Sequence, residues 1–80
     1  MQILRILDNG GKTIDRYTVI YDEPFDHNGN LMCLGMDEAP FHPQGFGQHC
    51  AASPDYRDGL EIGFFDLPED CQRAVLADLA

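Results

Sequence analysis

Three residues in the middle of the chain, His42, His49 and Cys50, are of the types that hold metals or activate nucleophiles, with Cys33 or His27 available as a fourth ligand. Zinc takes about four nitrogen or sulfur ligands in a tetrahedron, and such a site would brace an irregular loop. The spacing matches no recognised zinc pattern, since neither C-x-x-C nor a close H-x-x-x-H occurs. A nucleophilic Cys50 would need a base within reach and an oxyanion site beside both. Its neighbour His49 adjoins it in the chain, and adjacent side chains point apart. A small metal-binding or cysteine-dependent enzyme built on His42, His49 and Cys50 is therefore the alternative reading, and ordinary loop residues are the simpler one.

Paired carboxylates offer acid–base chemistry only when burial drives their pKa values apart. Glu69-Asp70 is better explained by the first turn of a helix, where the macrodipole favours acids, and Asp37-Glu38 opens a loop. Gly45-Phe46-Gly47 is no phosphate loop, because no G-K-[ST] follows it. Those glycines bend the backbone around Phe46, and burial is expected for at least one of Phe41 and Phe46. No catalytic residue, metal or cofactor is assigned, and the expected mode of action is binding rather than catalysis.

Charge is the outlying property. Fourteen Asp and Glu face five Lys and Arg, a formal net charge of -9. A chain so acidic is repelled by nucleic-acid phosphates and by anionic membranes, whose recognition rests on Lys and Arg. Between Arg16 and Arg57 there is no Lys or Arg, while Asp22, Glu23, Asp26, Asp37, Glu38 and Asp55 fall in that stretch. Those six carboxylates are the candidate binding residues: a rigid fold displaying them imitates the charge density of duplex DNA and competes for a basic groove. The plain alternative is a solvated surface that keeps a small domain in solution.

The elements that must carry these residues form a single domain over residues 1–80, too short for a second core. Gln2 to Leu7 reads as an inner strand, and the aromatic and β-branched run from Tyr17 to Tyr21 as another, with Tyr17, Val19 and Tyr21 on one face. Asn28-Gly29 within Asp26–Asn30 signals a tight hairpin, so Leu31 to Met36 is expected to pair back with Met32, Leu34 and Met36 toward the core and Cys33 away from it. Periodicity vanishes from Asp37 to Gly59, which reads as a long loop with a short helical turn near Gln44 to Cys50. Leu60 to Phe64 reads as a fourth strand with Leu60, Ile62 and Phe64 inward. A helix follows, capped by Asp66, with Pro68 in its first turn, Glu69 completing a capping box, and Leu67, Cys71, Ala74, Val75 and Leu79 as its apolar stripe. The expected fold is α+β, a mostly antiparallel sheet of three to four strands with the C-terminal helix on one face. An odd number of cysteines argues against a complete disulfide framework.

Several segments resemble a group of small phage and prophage proteins: Asn9-Gly10-Gly11 followed by Asp15-Arg16-Tyr17-Thr18-Val19, then Pro43-Gln44-Gly45-Phe46-Gly47-Gln48, then Leu67-Pro68-Glu69-Asp70-Cys71-Gln72. Their order and spacing cover most of the chain. Cys50 stands where that group carries a small residue. Within that setting the size and acidity are similar to type I anti-CRISPR proteins, which share no common motif. The resemblance implies a CRISPR surveillance complex in a bacterial host as protein partner; a cytoplasmic location, read from the absence of an apolar leader, no direct nucleic-acid or membrane binding, read from the charge, and a monomer or weak homodimer are the further expectations. A phage regulatory protein, with Cys71 at a helix-mediated dimer contact, is the remaining alternative.

Overall fold

The computed structural model describes residues 1–80 and has the expected α+β architecture. Strands β1 (Ile3–Asp8), β2 (Tyr17–Pro24), β3 (Leu31–Met36), β4 (Gly47–Ala52) and β5 (Leu60–Ile62) form one antiparallel sheet in the order β4-β3-β2-β1-β5. A 3₁₀ turn at Phe64–Asp66 leads into helix α1 (Glu69–Leu79). No helix is long and apolar enough to cross a membrane.

The hairpins follow from local chemistry. Asp26 fixes the β2–β3 turn by accepting from the Asn28 and Asn30 amides and from Asn30 Nδ2, and Gly29 supplies the positive φ of 84°. Pairing then sets Val19 against Leu34 and Ile20 against Cys33. Because side chains alternate across a strand, this register sorts two cores onto the two faces. Ile6, Tyr17, Val19, Tyr21, Leu34 and Met36 face the helix and pack against Leu67, Cys71 and Val75. Leu7, Ile20, Cys33 and Ala52 face the other way, and Tyr56 covers them. Each fully buried aliphatic side chain contributes about 1.5–3 kcal/mol, so the second face is a true part of the core rather than a solvated back.

Four details of the sequence reading change. Residues 47–52 are an edge strand, not a helical turn, because β3 offers a full row of partners from Leu31–Ala52 to Met36–Gly47. Leu60 is exposed rather than inward, at 70%, since it lies on the short outer strand beyond the cover of the helix. Asp66 caps the 3₁₀ turn by accepting from the Gly63 amide, and Pro68 occupies the cap position of α1. Neither Phe41 nor Phe46 is fully buried; the Phe41 ring lies 5.2 Å beneath the Arg73 guanidinium.

Two connections matter for function. Residues 37–46 run through nested turns, with the His42 amide on Ala39 O at 3.0 Å and the Gly45 amide on His42 O at 2.8 Å. A Cβ on Gly45 would fall on the Ala39 carbonyl, so Gly45→Ala is expected to cost about 2 kcal/mol or more by urea unfolding; an unchanged midpoint would show that the turn does not hold. Residues 53–59 cross the second face from β4 to β5, tied down by Arg5 Nη1 donating to Pro54 O at 2.8 Å.

Candidate functional site

The structure separates the six acidic candidates. Asp22 and Glu23 end β2 and Asp26 begins the turn beyond it, so these three share the β2–β3 hairpin end of the sheet. Asp37 and Glu38 leave β3 at its far end, and Asp55 is exposed on the loop over the second face. Most also do local work: Asp22 accepts from the Gln2 amide at 2.7 Å and Asp37 from the Ala39 amide at 2.9 Å. The three bonds that Asp26 accepts hold its carboxyl below the usual range, the Asn30 side chain contributing most.

Glu38 is matched by a cation. Arg16 reaches Asp8 Oδ1 at 3.0 Å and Glu38 Oε1 at 3.2 Å, and its guanidinium lies 5.1 Å over the Tyr17 ring. The hydrogen bond from Arg16 lowers the Asp8 pKa, and its bonds to Asp8 and Glu38 raise its own. The carboxylates at that end are partly compensated. Those at the hairpin end face no Lys or Arg side chain of their own strands.

The histidines and Cys50 do not converge. His42 serves its turn, where Nδ1 accepts from the Gln44 amide at 3.1 Å. His49 and Cys50 are consecutive on β4 and so project from opposite faces. His49 pairs with Leu34 on the helix side, and Cys50 pairs with Cys33 on the other. No group of three His, Cys, Asp or Glu lies where it could hold a metal.

His49 joins a cluster that the sequence does not announce. Its Nε2 donates to Asp78, 2.9 and 3.0 Å from the two carboxylate oxygens, and the buried Tyr21 hydroxyl donates to Asp78 Oδ2 at 2.6 Å. Burial, reinforced by the Asp78 carboxylate, pushes the Tyr21 phenol well above its ordinary value. Asp78 thus links the end of α1 to β2 and β4. The cluster borders a shallow groove lined by Pro40, Phe41, Gly47 and Ala77 among others, with no Ser, Thr or Cys along it. In the fold, this carboxylate-oriented imidazole ties the last turn of α1 to the edge strand β4.

Two further hollows flank the covering loop. One of about 380 Å³ lies among Asn9, Lys12, Thr13, Asp15, Tyr56 and Asp58, a polar recess with both signs of charge. The other, about 250 Å³, has Cys33 and Cys50 in its wall with Thr18, Ser53 and Tyr56 around them. The third cysteine, Cys71, is on the helix side, where its thiol donates to Asp37 O at 3.1 Å. Burial raises the Cys71 pKa to about 11.

Neither a scan against protein-family models nor searches of curated proteins and of solved structures finds a match to this chain. What the fold and these sites define is a small antiparallel α+β domain whose strands β2, β3 and β4 contain no Lys or Arg.

Proposed function

We propose that this protein is a phage or prophage inhibitor of bacterial defence, an anti-CRISPR that binds a type I surveillance complex stoichiometrically and competes with target DNA. The observation that carries this reading is the placement of charge. The adjacent strands β4, β3 and β2 contain no Lys or Arg, and Asp22, Glu23 and Asp26 gather at the hairpin end. A Lys/Arg-lined DNA channel would meet three carboxylates there with little repulsion from the protein's own cations, which gives the steering that favours fast association. Asp37, Glu38 and Asp55 lie outside this end and add to the long-range field rather than to the contact.

The test is direct binding to a purified type I surveillance complex at low and high salt. Affinity is expected to fall as salt rises, because exposed charges are screened over about 8 Å at physiological ionic strength. The pair Asp22→Lys and Glu23→Lys, which leaves the Asp26 turn intact, is expected to weaken binding by roughly tenfold or more. No binding to any such complex would remove the function; binding indifferent to salt and to these substitutions would remove the charge mimicry alone.

A further inference from the structure

We propose that Cys33 and Cys50 form a reversible dithiol–disulfide pair, a redox modification site in the hollow beside Tyr56 that reacts with small-molecule disulfides. The β3–β4 register sets the two residues directly opposite each other on the same face of the sheet. Opposed residues of antiparallel strands have Cα atoms about 4.5–5.5 Å apart, inside the span a disulfide bridges, so closure asks for side-chain rotation and little backbone movement. Both thiols border the same hollow of about 250 Å³, and Cys50 reaches its partly exposed rim, where the sulfur of a small disulfide can approach.

Their unequal exposure divides the labour. Cys50 is partly exposed and Cys33 is buried. Cys50 attacks the small disulfide, forming a mixed disulfide and releasing one small thiol, which carries off the Cys50 proton. Cys33 then attacks Cys50 Sγ, closing the protein disulfide and releasing the second small thiol with the Cys33 proton. Two protein thiols are oxidised to one disulfide while the small disulfide is reduced to two thiols. Burial, and then the hydrogen bond shared with Cys50, raise the Cys33 pKa in the dithiol form, which disfavours Cys33 as the first nucleophile. Cys71 faces the other side of the sheet and has no partner thiol.

The reduced, folded protein is incubated with glutathione disulfide, quenched, unfolded, alkylated and weighed by mass spectrometry with peptide mapping. Before alkylation the expected product is lighter by two hydrogen atoms and returns to the starting mass with dithiothreitol; after alkylation it carries one alkyl group instead of three, and its peptide map joins Cys33 to Cys50. Cys33→Ala should stop at a glutathione adduct on Cys50, and Cys71→Ala should form the crosslink as the parent does. A parent protein that stops at the Cys50 adduct, crosslinks only between chains, or takes up no oxidant overturns the proposal. That reading needs no variant, so a misfolded Cys33→Ala leaves the decision intact.

Discussion

Raising the pH from about 8 to about 11 is expected to unfold this protein cooperatively. Five groups whose ordinary pKa values lie in that range, Cys33, Cys71, Tyr17, Tyr21 and Tyr56, all have raised values in the folded chain, and burial is the leading cause for each. Each holds its proton more firmly in the folded chain. Above the ordinary thiol and phenol values, the unfolded chain therefore carries fewer protons than the folded one, and stability falls with every further increase in pH. Cys33, Cys71 and Tyr21 are no more than 2% exposed. Each can then withdraw up to about 1.4 kcal/mol per pH unit. With the two thiols acting from about pH 9 and the Tyr21 phenol from about pH 10, they withdraw together up to about 7 kcal/mol by pH 11, within the roughly 4–12 kcal/mol that holds a domain of this size together. Loss of ellipticity and the rise of tyrosinate absorbance should coincide. Tyrosines that ionise at their ordinary values while the ellipticity persists would contradict this account. On the acid side the lowered values of Asp8 and Asp26 act in the opposite sense: the stability they supply is present above the ordinary carboxylate range and is lost as pH falls through their depressed values.

The second large effect is expected at Asp78. A carboxylate in the last turn of a helix opposes the macrodipole, so on electrostatic grounds alone Asp78→Ala would stabilise. The structure predicts the reverse sign. The substitution strands the Tyr21 hydroxyl on a residue with no exposed surface and frees His49, a loss of about 2–3 kcal/mol by urea unfolding. Tyr21→Phe in the Asp78→Ala background should then cost far less than in the parent, because the stranded hydroxyl goes with it. Additive effects of the two substitutions, or a stabilising Asp78→Ala, would show that the bond does not hold the helix to the sheet.

Much of the fold was legible in the residues. The run from Tyr17 to Tyr21, the turn around Asn28-Gly29 and the stripe containing Cys71 and Val75 carry strong local signals, and all three lie where their periodicity puts them. Strand β4 was hidden because Gly47-Gln48-His49-Cys50-Ala51-Ala52 contains no β-branched or aromatic residue. It is a strand because β3 needs a neighbour, a tertiary demand with no local signature. Missing it concealed the sites. The alternation that turns His49 away from Cys50, the opposition of Cys33 and Cys50, and the reach of His49 to Asp78 all depend on that pairing. The acidic stretch was legible as a run of chain without Lys or Arg, but the separation of its carboxylates between the two ends of the sheet and the second face became visible only with the strands in place.

The crossing of residues 53–59 gives the sheet a temporal order. Ile6 pairs with Val19 on one side and with Ile62 on the other. The first contact closes a short loop and the second a much longer one, at an added entropic cost of about 1 kcal/mol. The meander β1 to β4 is the part that local encounters can assemble, and β5 arrives only after the chain has passed over the back of strands already paired. Until then β1 is an open edge and Leu7, Ile20 and Cys33 lack the cover of Tyr56. By this contact-order argument the covering loop closes late, and Cys33 gains its cover only as β5 docks, while Cys50 stays partly exposed at the wall of the dithiol hollow.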